Sequence, residues 1–512
     1  MSGIANYLSD KTLLITGTTG FLAKGIVEKI FRQAPDIRRV YLACIRPKRL
    51  KNGTTLSAEE RMEKEIFQSS VFDRLRGIHG DRLLNILREK TVPVEGDLTL
   101  DHLGIDPDVY EQLTKQVQVV IACAASVAFD EEVDYAMKLN ALGARRVMEF
   151  AKACDDAVLI HVSTAFVSGN RRGNVPELSP QPDRSMAQEI GLNQTPFNLD
   201  DEIKDILAFA GKAHEDAHSE EQKKEFHRAA FRQNSKPSQR WLDAQIETYR
   251  KRWLKKRLAD EGIRRSKSWG WHDIYTMTKA MGEQMIVKYR EDLPVAIVRP
   301  SIVEGSLVEP EPGWVEDLKV ADPLIDAISR GRLPDFPADP EIVLDVVPVD
   351  IVVNTVLAAI PRTAKEGGVS IYQVATGDQN PIKISRLYDL VYDYFQKNPR
   401  LDKKGDPIPI KRWRYPTLDQ FKRQCNIKYT WPLGIAQWCL ERLSWNAAAN
   451  RWRQRANVIK SAITRMLYYA EIYSPYTTLD CRFETRRTAQ LHESLDPEDQ
   501  AVFNCDVGRI RW

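Results

Sequence analysis

The chain has 512 residues, 43% hydrophobic and 28% charged, with a net charge of only +3. That length is enough for two or three domains with a large core, and the composition is ordinary for a globular protein. The near-neutral balance removes any bulk case for nucleic-acid binding, and the seven scattered cysteines form no C-x-x-C pair, which argues against a zinc site or a disulfide framework.

A reducing, cytoplasmic setting is therefore expected, with no bound metal. The start Met1-Ser2-Gly3-Ile4-Ala5-Asn6-Tyr7 has neither a basic opening nor an apolar stretch, so no signal peptide is expected. No apolar run reaches membrane-spanning length.

The first predicted element is a buried strand at 12–15, followed by Thr16-Gly17-Thr18-Thr19-Gly20-Phe21 and then an apolar helical spacing over 22–30. Strand, glycine turn and helix together form the context of a dinucleotide fingerprint. Gly17 permits the tight turn, Gly20 lets the backbone approach a pyrophosphate, and the helix start from Phe21 and Leu22 offers its N–H groups and dipole to that anion. The spacing is G-x-x-G-x-x-A, with Ala23 where a third glycine would allow close packing.

Further strands are predicted at 40–45, 91–94, 119–123, 158–163 and 295–298, with helices at 58–67, 135–153 and 276–288 between them. Cys44 and Cys123 fall inside two of these strands, where a thiol acts as a small hydrophobe. Such alternation implies a parallel sheet covered on both faces, and hence an α/β, doubly wound fold. The second strand runs into Cys44-Ile45-Arg46-Pro47-Lys48-Arg49. An NAD enzyme commonly has an acidic residue there for the ribose 2′-hydroxyl. Cations stand in its place, so Arg46, assisted by Lys48 or Arg49, is expected to grip the 2′-phosphate of NADPH.

Residues 200–267 are highly charged, rich in helix formers and break the strand–helix rhythm. They read as a solvated helical hairpin, or as a cap whose cluster at 250–257 meets substrate phosphates. Beyond about 380 the chain turns helical, basic and tryptophan-rich, which sets domains at 1–380 and 381–512. Trp431, Trp438, Trp445 and Trp452 recur every seven residues. On one helix they would share a face, more often core or interdomain seam than a ligand box; peripheral membrane contact is a minority reading.

Tyr275-Thr276-Met277-Thr278-Lys279 is a Y-x-x-x-K whose ends share a helical face. An ammonium close to a phenol lowers the phenol's pKa and makes it a usable proton donor. Val162-Ser163-Thr164-Ala165 ends the fifth strand, where ligands of doubly wound sheets bind, and a hydroxyl there can stabilise an oxyanion.

This constellation resembles the extended short-chain dehydrogenase/reductase superfamily, and within it the fatty acyl-CoA reductases that make fatty alcohols. The resemblance rests on Ser69-Ser70-Val71-Phe72-Asp73, Gly96-Asp97-Leu98-Thr99, Ala124-Ala125-Ser126, Arg299-Pro300-Ser301-Ile302, Glu309-Pro310-Glu311-Pro312-Gly313-Trp314 and Asp345-Val346-Val347-Pro348. It implies that Tyr275 is the catalytic acid, that Lys279 holds the nicotinamide ribose, and that Thr164 is the catalytic hydroxyl, with Ser163 the competing neighbour. It also implies a cofactor site built from Thr16, Gly17, Thr19, Gly20, Phe21, Leu22, Asp97, Leu98, Ala124, Ala125, Ser126, Asn140, Lys279, Pro300 and Ile302. Ala122 departs from the pattern, since relatives often carry a polar residue there. The implied reaction is NADPH-dependent reduction of a fatty acyl-CoA through an aldehyde to the alcohol, with the helical C-terminal domain shaping the acyl site. Alternatives are release of the aldehyde, use of acyl-carrier-protein thioesters, a nucleotide-sugar reductase or epimerase, and a cofactor-binding protein without turnover.

Overall fold

A computed structural model describes residues 3–233, 237–316, 322–333, 335–442 and 447–512. These described residues divide into two compact units: one falls within 1–316, 346–379 and 483–510, the other within 317–345, 380–482 and 511–512.

The first unit is built on seven strands: β1 (Thr12–Thr16), β2 (Arg39–Ala43), β3 (Thr91–Val94), β4 (Val119–Ala122), β5 (Val158–Val162), β6 (Val295–Pro300) and β7 (Val369–Val374). All run parallel, in the order β7-β6-β5-β4-β1-β2-β3. β1, β4 and β5 are buried along their whole length, which is why they read as unbroken apolar runs rather than alternating ones. The chain moves outward from β1 to β3 and then returns to the other side of β1 at β4. Thr16 is paired with Ala43 on one side and Ala122 on the other, so the order reverses at the end of β1. Doubly wound sheets bind their ligands at such a point.

Among the described helices that flank the sheet are α1 (Phe21–Gln33), α2 (Leu142–Ala153), α4 (Ile274–Tyr289) and α5 (Val349–Glu366); α3 (Gln239–Ser268) belongs to the charged insertion. α1 packs on α5, and α2 on α4. A Cβ at Gly25 would meet Val353 at 3.1 Å, so the close approach on α1 falls at Gly25 rather than at Ala23. Leu14, Val120, Leu159 and Ile297 of the sheet bury against Val147, Met148, Phe150 and Ile286 of α2 and α4.

Several local expectations change. The helix predicted at 135–153 begins as Val133–Ala136, widens into a π-helical turn at Met137–Ala141 and only then continues as α2. β7 lies beyond the last predicted strand; its Ser370 and Gln373 break the apolar run, and pairing with β6 makes the strand. Cys44 and Cys123 sit just past β2 and β4, half-buried, with Cys44 at φ +60°.

The described residues of the charged insertion form the helices Leu199–Ala217, Glu220–Gln233 and α3. Ala210 and Ala213 of the first bury against Leu258 of α3. In the second unit, Tyr388 stacks on Trp413 (ring centroids 4.5 Å apart), and both join Phe336, Phe421 and Ala470 in a core. Trp431 is 76% exposed and Trp452 60% exposed, so neither is core. They lie on separate helices, Trp431–Arg442 and Ala447–Thr478. The Trp438 side chain and Trp445 lie outside the described residues.

No helix among the described residues is long and apolar enough to cross a membrane.

Candidate active site at the strand ends

The turn after β1 can hold its shape only with glycine. Gly17 has φ +77°, and a Cβ there would lie 2.7 Å from the Ala124 backbone nitrogen. Thr16 Oγ1 accepts a hydrogen bond from that same nitrogen at 3.3 Å, which ties the turn to Ala124, Ala125 and Ser126 at the end of β4. Gly20 caps α1 in an extended conformation and, having no side chain, makes no cap bond to the first-turn N–H groups; no acidic residue lies in that turn. A backbone cradle with free donors at a helix start suits a diphosphate. Thr19 is exposed beside it, and Phe21 and Leu22 are half-buried.

The segments carrying the family resemblance converge here. Trp314 stacks on Phe21 with ring centroids 4.7 Å apart, and its indole donates to Ser70 Oγ at 3.1 Å. Glu316 accepts from Lys24 at 2.6 Å and from Ser69 at 3.0 Å.

At the end of β2, Arg46 is half-exposed and reaches Asp97 (3.4 Å) and the Tyr135 hydroxyl (3.2 Å). Burial raises the Asp97 carboxyl, but hydrogen bonds from Thr99 and Arg46 outweigh it and leave the group below the usual carboxylate range. Leu98 is buried beside it. Arg49 lies in a short exposed ribbon, and its neighbour Lys48 pairs with Glu65 at 2.7 Å.

Asn140, on the π-helical turn, joins three elements. Its Oδ1 accepts from the Ser126 N–H at 2.9 Å, while its Nδ2 donates to the Ser126 carbonyl and to Thr278 Oγ1, both at 3.0 Å. A Cβ at Gly282 would meet the Asn140 carbonyl oxygen at 2.5 Å, so α4 can approach this closely only with glycine there.

α4 begins at an Asp273–Thr276 capping box, which sets Tyr275 in its first turn and Lys279 one turn later. Thr164 follows β5, with Oγ1 accepting from Phe166 N–H at 3.3 Å and donating to the Pro300 carbonyl at 3.4 Å. Pro300 ends β6, and Ile302 opens a two-stranded ribbon with Val346–Pro348.

Burial pushes the Tyr275 phenol well up, the Thr164 hydroxyl draws it down and Asp273 adds to the rise. Lys279, expected to lower it, is not among these influences and is engaged elsewhere. It is 2% exposed, and its Nζ donates to the Val162 carbonyl at 2.7 Å and faces His161 Nε2 at 3.3 Å. Burial lowers its pKa to about 8, opposed chiefly by the charge of Glu283. Of the two candidate hydroxyls, that of Thr164 bears on Tyr275, whereas Ser163 Oγ is buried with no partner among the described residues.

His161 belongs to no motif, and its one signal in the sequence is a histidine inside an apolar strand. It is 3% exposed, burial and then Lys279 push its pKa well below normal, and its Nδ1 has no partner among the described residues. Among those residues no cluster of three or more His, Cys, Asp or Glu could hold a metal ion.

A parallel sheet with a glycine cradle at its switch point defines a dinucleotide-binding protein of the doubly wound class. Residues 15–356 match the family model described as male sterility protein. The chain is 33% identical over 520 residues to Fatty acyl-CoA reductase 1 of Arabidopsis thaliana, covering all of this chain and 96% of that protein. It is 28% identical over 522 residues to the alcohol-forming fatty acyl-CoA reductase of Simmondsia chinensis, again covering 100% of this chain and 96% of that one. The terminal R domain of a myxalamid PKS-NRPS pathway shares the fold (TM-score 0.52, 15% identity, 95% of this chain and 85% of that one). The chain belongs to the fatty acyl-CoA reductase family.

Proposed function

We propose that this protein reduces long-chain fatty acyl-CoA to the primary alcohol with NADPH, through an aldehyde. The observation that carries the reading is the meeting of Tyr275 and Thr164 at the end of β5, with Lys279 one helical turn from Tyr275.

A bound reduced nicotinamide would supply one hydride to the thioester, and a second cofactor molecule, bound after exchange, one to the aldehyde. The chain's own residues then have distinct roles. The turn at Gly17 and Gly20 holds the diphosphate, Lys279 the ribose, and Arg46 the 2′-phosphate once it turns from Asp97. Thr164 and Tyr275 hold the carbonyl oxygen by hydrogen bonds and stabilise the charge that grows on it. In the first reduction the thiolate of coenzyme A leaves and takes up a proton. In the second, Tyr275 gives its proton to the alkoxide; its raised pKa keeps that proton available at neutral pH. Long acyl chains need an apolar wall, since each buried CH₂ contributes about 0.8 kcal/mol. The helical second unit is the proposed source of that wall, and the exposed cations Lys251, Arg252 and Lys255 on α3 are candidates for the coenzyme A phosphates.

The test is product analysis by gas chromatography after incubation with NADPH and acyl-CoAs of graded length. The expected result is primary alcohol, with two NADPH oxidised per alcohol. Aldehyde alone would limit the reading to one reduction. No turnover of acyl-CoA alongside turnover of a UDP-sugar would overturn it.

A further inference from the structure

Lys279 is an ammonium with three N–H donors in a nearly dry place. One goes to the Val162 carbonyl at 2.7 Å, and His161 Nε2 lies in reach of a second at 3.3 Å. An ammonium cannot accept a hydrogen bond, so Nε2 must offer its lone pair and the ring proton must sit on Nδ1. That N–H is buried without a partner among the described residues. A core position that needed only volume would be served more cheaply by leucine, which leaves no unpaired donor.

We infer that His161 is a positioning residue for Lys279: its neutral imidazole and the Val162 carbonyl hold two of the three ammonium donors, so the third is directed at the cofactor. With two directions of a tetrahedral group tied to β5, the ammonium cannot swing away along its flexible stem. The inference rests on Lys279 being the cofactor-holding lysine of the proposed function.

A hydrogen bond made to the charged form of a group favours that form, so the acceptor should also favour the ammonium. Other groups facing Lys279 are Cys123 beyond β4 and Glu283 one turn on in α4, itself paired with Arg299 of β6; Tyr275 lies one turn back. None of them replaces a lone pair 3.3 Å from Nζ. Loss of the imidazole acceptor should let the ammonium deprotonate at lower pH.

The experiment compares wild type, His161→Leu and His161→Gln by pH profiles of kcat/KM and of NADPH dissociation followed by fluorescence. In His161→Leu the alkaline limb of both should move down by about one pH unit. That gives roughly five-fold lower activity at pH 8 and near-equal activity at pH 6. His161→Gln, which returns an acceptor at the same reach, should restore the limb to within a few tenths of a unit. A limb unmoved in His161→Leu, or moved equally in both variants, would overturn the inference, since a merely structural histidine changes stability and not the limb. If His161→Leu does not fold, His161→Asn replaces it: its shorter amide cannot reach Nζ, so its limb must move, and an unmoved limb overturns the inference. A wild-type protein that binds NADPH but reduces no acyl thioester would defeat the proposed function, while the binding profiles would still decide the role of His161.

Discussion

Arg299 on β6 grips Glu283 on α4 through two hydrogen bonds, 3.0 and 2.6 Å long, with both side chains buried. The pair fixes the helix carrying Tyr275 and Lys279 to the strand that ends at Pro300. Glu283→Ala would leave a guanidinium buried, its remaining bond going to the Leu178 carbonyl. Breaking a buried pair from one side costs about 3–5 kcal/mol, so the urea midpoint should fall sharply. Glu283→Leu combined with Arg299→Met should cost less than either single change. Equal midpoints for wild type and Glu283→Ala would show that the pair does not hold α4.

Tyr275→Phe should lower turnover by about 10²–10⁴-fold while leaving NADPH binding nearly unchanged. The ring still packs edge-on against Phe129, 6.2 Å between centroids, so the fold is not at risk. Full activity on both acyl-CoA and aldehyde would remove Tyr275 from the chemistry.

Arg46→Ala should weaken NADPH binding by roughly ten- to a hundred-fold, because a hydrogen bond to a charged group is worth ~1.5–3 kcal/mol. NADH binding should hardly change. Tyr135→Phe, which removes the hydroxyl that accepts from Arg46, should have a smaller effect in the same direction. Titration with both cofactors checks this; a wild-type preference for NADH would contradict it.

Gly17→Ala should abolish cofactor binding. Its Cβ would sit 2.7 Å from the Ala124 nitrogen at φ +77°, so the turn must open and the cradle with it. Backbone strain of this kind costs about 1–3 kcal/mol, visible as a lower Tm. Normal NADPH binding by Gly17→Ala would show that this turn is not the cradle.

The pH dependence follows from Lys279, whose pKa falls from its ordinary 10.5 to about 8. Below pH 8 the lysine is charged in both folded and unfolded chains, and burying it costs stability. Between about 8 and 10.5 the folded chain holds fewer protons, so this group makes stability rise with pH. Activity should move the opposite way and decline above about pH 8 as the ammonium is lost. In Lys279→Arg, whose guanidinium stays charged, residual activity should show no such decline. A wild-type profile flat well beyond pH 8 would contradict the assignment.

Local patterns in the sequence determined the class of fold and the outline of the site. Residues 12–15, Gly17, Gly20 and the spacing of Tyr275 and Lys279 are legible because strand burial, tight turns and helical faces depend on near neighbours. What the tertiary structure decided depends on residues far apart in the chain. Strand β7 takes its identity from pairing with β6. Residues 483–510 rejoin the first unit, where Gln373 of β7 donates to the Glu484 carbonyl at 2.9 Å, so a cut near residue 380 would strip that unit as well. Arg46 meets Asp97 and Tyr135, Phe21 meets Trp314, and Lys279 meets His161, across separations of 51, 89 and 118 positions where a hydrogen bond records them. Even the direction in which the Tyr275 pKa moves was out of reach of the motif. The spacing of Y-x-x-x-K brings an ammonium near a phenol, but burial by the whole fold decides which influence prevails.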